Sequence, residues 1–291
     1  MTAVPVGEST VAKIRRPASR VLWHLMVVLI LIVLLYPVVW LVGTSFKPAE
    51  EVLTNIGVLP THPTGANYGS VLQGVAGYSL WTYVGNSLIV SVGAVLGNIL
   101  TCSLAAYAFA RLRFRGRSVL FGFMIATIML PLHVVLIPQY IIFQKLGLVN
   151  TFLPIILPKF LATDAFFVFL MVQFIRGLPR ELDEAATIDG CGPVRIFRYV
   201  VMPLLRPALI TTAIFTFIWT WNDFFTQLIY LNDPSKYTLP LALRIFVDQT
   251  SQSAFGPMFA MSVLSLVPIG VFFLAFQRYL VEGVATSGLK G

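Results

Sequence analysis

The residues best equipped for chemistry, or for gripping a partner, stand in one run, Glu181 to Pro203: ELDEAATIDGCGPVRIFRYVVMP. Its carboxylates Glu181, Asp183, Glu184 and Asp189 precede a break, Gly190-Cys191-Gly192-Pro193, and its cations Arg195 and Arg198 follow it. His133, Asp164, Asn222 and Asp223 are isolated polar positions in apolar surroundings. No G-x-S-x-G turn offers a nucleophile and no H-E-x-x-H pair offers a zinc site. No G-x-x-x-x-G-K-[ST] loop is present to cradle ATP phosphates. The cysteines, Cys102 and Cys191, fit neither a disulfide framework nor a CxxC metal site. The chain therefore reads as holding no catalytic residue, metal or cofactor of its own, and its charged run reads as a surface for coupling.

The elements that position that run follow from composition. Of 291 residues, 57% are hydrophobic and 11% charged, and the mean hydropathy is +0.85. Too little polar surface remains to cover such a chain in water, so it is expected to be an all-α integral membrane protein. A β-barrel is excluded, because barrels show short alternating segments and not continuous apolar runs. Six runs reach the roughly 20 residues that a membrane crossing needs: Val21–Val42, Trp81–Ala110, Ser118–Ile141, Thr151–Ile175, Pro207–Leu231 and Pro257–Leu280. The first is too long for a signal-peptide core and is followed by Phe46-Lys47-Pro48, so it is expected to stay uncleaved. The organisation is a tail over 1–20, one membrane domain over 21–280 with a loop at 176–206, and a second tail over 281–291. Of the 20 Lys and Arg residues, fifteen fall in the two tails, the Arg111–Arg117 turn, the Arg176–Arg206 loop and, as Arg278, the very end of the sixth run. The other five, Lys47, Lys145, Lys159, Lys236 and Arg244, fall on the opposite side. That excess places both termini in the cytoplasm. It also accounts for the net charge of +8 without nucleic acid.

Within the charged run, Pro179 suits the first turn of a helix, and Glu181, Asp183 and Glu184 favour the positive end of its dipole. Ala185 and Ala186 propagate it, Gly190 stops it, Pro193 starts another, and Pro203 and Pro207 mark the entry to the fifth run. Such a pair of helices is a lever that a soluble partner could move, or a solvated hairpin. In the spans, Gly93 and Gly97 form a packing face. Pro131, Pro138 and Pro268 interrupt the third and sixth runs. Asp223, with Asn222, Trp219, Trp221 and Phe224, is expected within the outer half of the fifth run, lining a pathway or bonding a neighbouring helix. Asp164 is expected near the outer surface, and His133 after Pro131; both are pathway candidates. Asn86 is a further pathway candidate, although Asn86 and Asn98 read first as interhelical glue. No Lys or Arg is found deep in the runs, which favours a neutral ligand. The segment Thr61–Ser79, rich in Gly, Pro, Asn and Tyr, reads as an exposed external loop.

Glu184-Ala185-Ala186, three residues, Gly190, nine residues, then Val200-Val201-Met202-Pro203 resembles the EAA loop of permeases from binding-protein-dependent ABC importers. The family pattern ends Ile-x-Leu-Pro; Val200 and Met202 keep its apolar character. Asn86-Ser87, the stretch Leu130-Pro131 to Ile137-Pro138, Lys145 to Thr151, Trp221 to Phe224 and Gln277 to Gly283 resemble the carbohydrate permeases related to the six-span subunit of the maltose importer. The resemblance implies a type I importer permease fold and a bacterial plasma-membrane location. It implies a subunit of an ATP-driven sugar importer that alternates access. Glu184, Ala185, Ala186, Asp189, Gly190, Arg195 and Pro203 would then couple to the ATPase. Its implied partners are a second homologous permease in a heterodimer, an ATPase dimer that holds ATP and Mg, an extracytoplasmic substrate-binding protein, the sugar and membrane lipid. Some relatives carry glycerol phosphates or glycerophosphodiesters. A stand-alone channel or ion-coupled carrier is the rival of another class, and it leaves the EAA spacing unexplained.

Overall fold

A computed structural model of the chain describes residues 17–248 and 255–288. The described residues are helical, with no strand among them and a single isolated bridge between Val75 and Tyr78. Helix α1 spans Pro17–Ser45, so the expected 20-residue tail is helical from Pro17 onward. Lys13, Arg15, Arg16 and Lys290 lie outside the described residues. Apolar on every side, α1 leaves Val21 to Leu35 exposed and meets the body near its end, where Trp40 stands edge-on to Phe259 at 5.4 Å.

Beyond α1 lies a compact cap containing α2 (Ala49–Thr54) and α3 (Ala66–Gln73). The ammonium of Lys47 is fully buried there and donates to the carbonyls of Asn55 at 2.7 Å and Gly57 at 2.6 Å. Glu51 accepts from Asn55 Nδ2 at 2.7 Å and from the backbone N–H groups of Thr61 and His62. These two side chains satisfy the polar backbone of a segment too short to bury much apolar area. The expected loop Thr61–Ser79 therefore contains a helix and is tied down.

Helix α4 (Leu80–Arg111) is the central post. Gly93 and Gly97 do form its packing face: a Cβ at Gly97 would sit 2.8 Å from Phe160 Cδ2, and one at Gly93 would sit 3.0 Å from Ile156 Cδ1. The third apolar run is broken into α5 (Arg117–Thr127) and α6 (Leu132–Lys145), with Pro131 at the N-cap of α6. Pro138 and Pro268, expected to interrupt their spans, stay inside α6 and the last helix. The fourth run begins as α7 (Leu153–Ile156), tightens into a 3-10 turn over Leu157–Leu161, breaks at Ala162, and restarts as α8 (Ala165–Arg176). The charged run forms α9 (Glu181–Ile188), α10 (Pro193–Ile196), a π turn over Phe197–Val201 and α11 (Met202–Leu204). The chain then bends by 74° into α12 (Arg206–Asn222). Helices α13 (Phe225–Tyr230), α14 (Leu239–Asp248) and α15 (Phe255–Gly288) complete the fold. Helix α15 continues past residue 281, where a tail was expected.

Among the described residues, four segments are long and apolar enough to cross a membrane: Val21–Ser45, Leu80–Arg111, Leu153–Arg176 and Phe255–Gln277. The bent pair Pro193–Leu204 with Arg206–Asn222 makes a fifth. The expected six are not reached, because the break at Pro131 leaves helices of 11 and 14 residues, each short of the roughly 20 needed to span alone. One buried cluster joins α4, α8, α9 and the π turn at the arginine-rich end, through Tyr107, Ile175, Ala186 and Val201. A second joins α3, α4, α12, α14 and α15 at the other end, through Val71, Tyr83, Trp221 and Met261.

Candidate functional site

At the arginine-rich end, α9 starts at Glu181, so Pro179 lies just outside the first turn where it was expected. The helix closes on Gly190, whose φ of +80° lies in the left-handed region. Gly190 N–H donates to Thr187 O at 3.0 Å and Cys191 N–H to Ala186 O at 2.9 Å. This is a Schellman closure, which a glycine makes without Cβ strain. Pro193 and Pro203 each occupy the first turn of the helix that follows. Ala186 is buried against the body, whereas Glu184, Ala185, Asp189 and Arg195 are exposed. The side chain of Glu184 has no partner among the described residues. Ile188, on the same helix, is 86% exposed and Val194, on α10, is 79% exposed, with Leu182 and Tyr199 also open to the surroundings. Acidic and large apolar groups thus stand together on a stiff double helix. That is the make-up of a partner-binding surface.

The second assembly lies at the break in the fourth span. Asp164 holds the N-cap position of α8, yet its carboxylate turns away from the helix. Lys159 Nζ donates to its two oxygens at 3.0 and 2.8 Å, and Asn98 Nδ2 donates to Oδ2 at 2.6 Å and to Thr216 Oγ1 at 3.0 Å. Thr101 Oγ1 donates to the carbonyl of Lys159 at 2.8 Å. Asp164 stands twelve residues from Arg176, and at 1.5 Å per residue that is about 18 Å from the arginine-rich end. Asn98 stands about 20 Å from Arg111 by the same measure. The network therefore sits near half depth of a hydrocarbon layer about 30 Å thick, and not near the outer surface where Asp164 was expected. It also corrects the expectation that no cation lies deep: Lys159 does, and Asp164 neutralises it. About a quarter of each side chain stays exposed, 26% for Lys159 and 25% for Asp164. Beside Asp164, Phe166 is exposed and packs on the exposed ring of Trp219, with centroids 5.9 Å apart.

The remaining candidates separate. Trp221 is 1% exposed, stacks on Phe217 and donates to Ser265 O at 3.4 Å, so its faces belong to the core and not to a ligand. Asp223 is not inside a helix as expected. It follows the last residue of α12, and its Oδ1 accepts the Thr226 N–H at 3.1 Å, holding the start of α13. Asn222 is exposed and donates to Ile218 O at 2.8 Å; Phe224 is exposed beside it. Asn86, expected as interhelical glue, instead donates to the carbonyls of Ser235 and Tyr237, both at 2.9 Å, and ties α4 to the turn before α14. His133 lies against Phe225, centroids 5.0 Å apart. With Leu136, Ile137, Tyr140, Phe225 and Ile229 it lines an open cavity of about 450 Å³. Lys159, Thr216, Phe166, Tyr140 and Phe225 were missed. The signal for Lys159 was its place inside an apolar run five residues before an acid; the aromatics carried none. Among the described residues no cluster of His, Cys, Asp or Glu could hold a metal ion.

Residues 93–286 match the family described as the inner membrane component of binding-protein-dependent transport systems. The arabinooligosaccharides transport system permease protein AraQ of Halalkalibacterium halodurans is 34% identical over 88% of this chain and 91% of its own. The diacetylchitobiose uptake system permease protein DasC of Streptomyces coelicolor is 33% identical over 94% of this chain and 98% of its own. Among solved structures, a chain of a bacterial ABC transporter involved in the import of the acidic polysaccharide alginate superimposes with a TM-score of 0.80. It is 24% identical, and the match covers 92% of this chain and 99% of that one.

Proposed function

The chain belongs to the inner-membrane components of binding-protein-dependent transport systems, and from that premise we propose that it supplies half of the translocation pathway of an ATP-driven carbohydrate importer. It is a multi-pass inner-membrane protein of that family, and its relatives include sugar permeases. The reading beyond the family rests most on one observation: the exposed, partnerless Glu184 on α9, in a helix pair that also exposes Ile188 and Val194. In this reading both termini and the α9–α11 unit lie in the cytoplasm, where a separate ATPase subunit holds ATP and Mg and receives α9. The third apolar run crosses as a broken sixth span. A second permease completes the pathway, and a binding protein outside delivers the ligand. Closure of the ATPase moves α9, and the spans swing between inward-open and outward-open, so that binding at each end biases one two-state element.

For the substrate, a neutral sugar fits best. The deep cation Lys159 is neutralised by Asp164, and the aromatic surfaces of Trp219, Phe166 and the His133–Tyr140–Phe225 cavity offer flat faces to a sugar ring. Asn222, exposed at the end of α12, adds a donor and acceptor. A glycerol phosphate or glycerophosphodiester would need an unneutralised cation from the other permease.

The test is purification in mild detergent from the native membrane, followed by mass spectrometry, for the native chain and for Glu184→Lys. An ATPase and a second permease are expected with the native chain. Glu184→Lys is expected to leave the chain in the membrane and abolish uptake. A native chain that purifies alone, or uptake that survives Glu184→Lys, would overturn the reading.

A further inference from the structure

A polar contact joins the start of α9 to the central post. Arg111 is the last residue of α4, and its guanidinium is withdrawn from solvent, with 7% of the side chain exposed. Its Nη2 donates to the carbonyl of Leu178 at 2.9 Å, just before α9. Its Nε lies 2.8 Å from Oδ2 of Asp183, in the first turn of α9. That Nε makes no aligned hydrogen bond, so the second contact is an ion pair of close approach. This ion pair stands at the arginine-rich end, whereas the Lys159–Asp164 pair lies in the fourth span. Asp183 and Glu184 are adjacent, yet they point to different tasks. Asp183 is 21% exposed and faces the body, whereas Glu184 is exposed and unpaired.

We propose that Arg111 is a positioning residue that fastens α9 to α4, so that motion of the docking helix is delivered to the central post. This rests on the coupling reading above. Three anchors hold α9 and the turn after it: the buried Ala186, the Tyr107–Phe197 ring pair at 5.2 Å, and Arg111. Ala186 and the ring pair hold by packing, which lets helices slide. Arg111 fixes direction, because its Nη2–H bond to the Leu178 carbonyl is directional and the close charge of Asp183 holds the guanidinium against α9. It also ties down the end of α9 farthest from the Gly190 closure, next to Glu184. Without Arg111, α9 could tilt on its Ala186 contact while α4 stays still. ATP would then be spent with little movement of the pathway.

The measurement is substrate uptake and ATP hydrolysis for the same assembled complex in proteoliposomes. Arg111→Ala and Asp183→Asn are expected to keep ATP hydrolysis while uptake per ATP falls about tenfold, within the usual range of coupling between sites. Arg111→Lys, which keeps charge but not the fork, should fall between. The exchanged pair Arg111→Asp with Asp183→Arg should recover part of the ratio. An unchanged ratio in both single variants would overturn the proposal. So would a double exchange no better than its parts, or loss of assembly in Asp183→Asn, which preserves size and would point to a merely structural contact. A native chain without an ATPase partner would instead remove the coupling reading itself, and this proposal with it.

Discussion

A lysine at half depth of a membrane is tolerated only when its charge is answered, and Lys159 is answered by Asp164 at 2.8 Å. Because a quarter of each side chain is exposed, breaking the pair should cost about 2 kcal/mol, less than a fully buried pair would. Lys159→Met, which strands the carboxylate, is expected to destabilise the chain more than the double variant Lys159→Met with Asp164→Asn. Thermal unfolding in detergent reads the order, and a double variant weaker than Lys159→Met would count against the pairing. Glu51 behaves differently, since its setting is open. The Thr61 N–H, helped by Asn55 and the His62 N–H, holds its carboxyl at about 2, below the ordinary 4.5. A depressed acid contributes its stabilisation above the ordinary value and loses it as pH falls through the folded value. The cap should therefore be unchanged from pH 7 to 5 and should loosen between 4.5 and 2. Hydrogen exchange at Thr61 and His62, corrected for intrinsic rate, is the readout. Glu51→Gln should give the loosened state already at pH 7.

At the scale of elements, the contact of α4 with the broken fourth span depends on absent side chains. A Cβ at Gly97 would meet Phe160 at 2.8 Å and the backbone carbon of Lys159 at 2.9 Å, and backbone cannot rotate aside. Gly97→Leu should separate the two elements, pull Asn98 from Asp164, and cost about 3 kcal/mol as an overpacked contact. Gly85, on the same helix, has nothing within 4 Å of such a Cβ, so Gly85→Ala should be neutral or slightly stabilising. A Gly97→Leu protein with unchanged melting temperature and uptake would contradict this packing. The α9–α10 pair was legible in sequence because its signals are local: acids in a first turn, a left-handed glycine, then proline. Its continuation as a π turn with a 74° bend was not, since that geometry is set by what Val201 and Leu205 pack against.

For the whole molecule, two buried clusters lie at opposite ends of α4, and the Asn98–Asp164 network lies between them. An arrangement of this kind suits a protein that must transmit movement along one post. Helix α1 adds little to either cluster, with Val21 to Leu35 uncovered. In the proposed importer, lipid and the second permease are the surroundings that cover it. The expectation that the native chain purifies with partner subunits belongs to this scale, since the sequence carries no G-x-x-x-x-G-K-[ST] loop.

Composition and spacing by themselves determined that this is a helical membrane protein, where its charged helix pair lies, and which residue ends the first of those helices. Each depends on near neighbours along the chain: apolar runs, dipole ends, a glycine that turns. The tertiary structure alone decided that the third run breaks at Pro131, that Lys159 reaches Asp164 at half depth, and that Trp221 faces the core while Trp219 faces outward. It also decided that Arg111, one of four arginines in a turn, takes Asp183. Those outcomes depend on which faces of distant helices meet, and an apolar helix with little amphipathic contrast does not announce which face that will be.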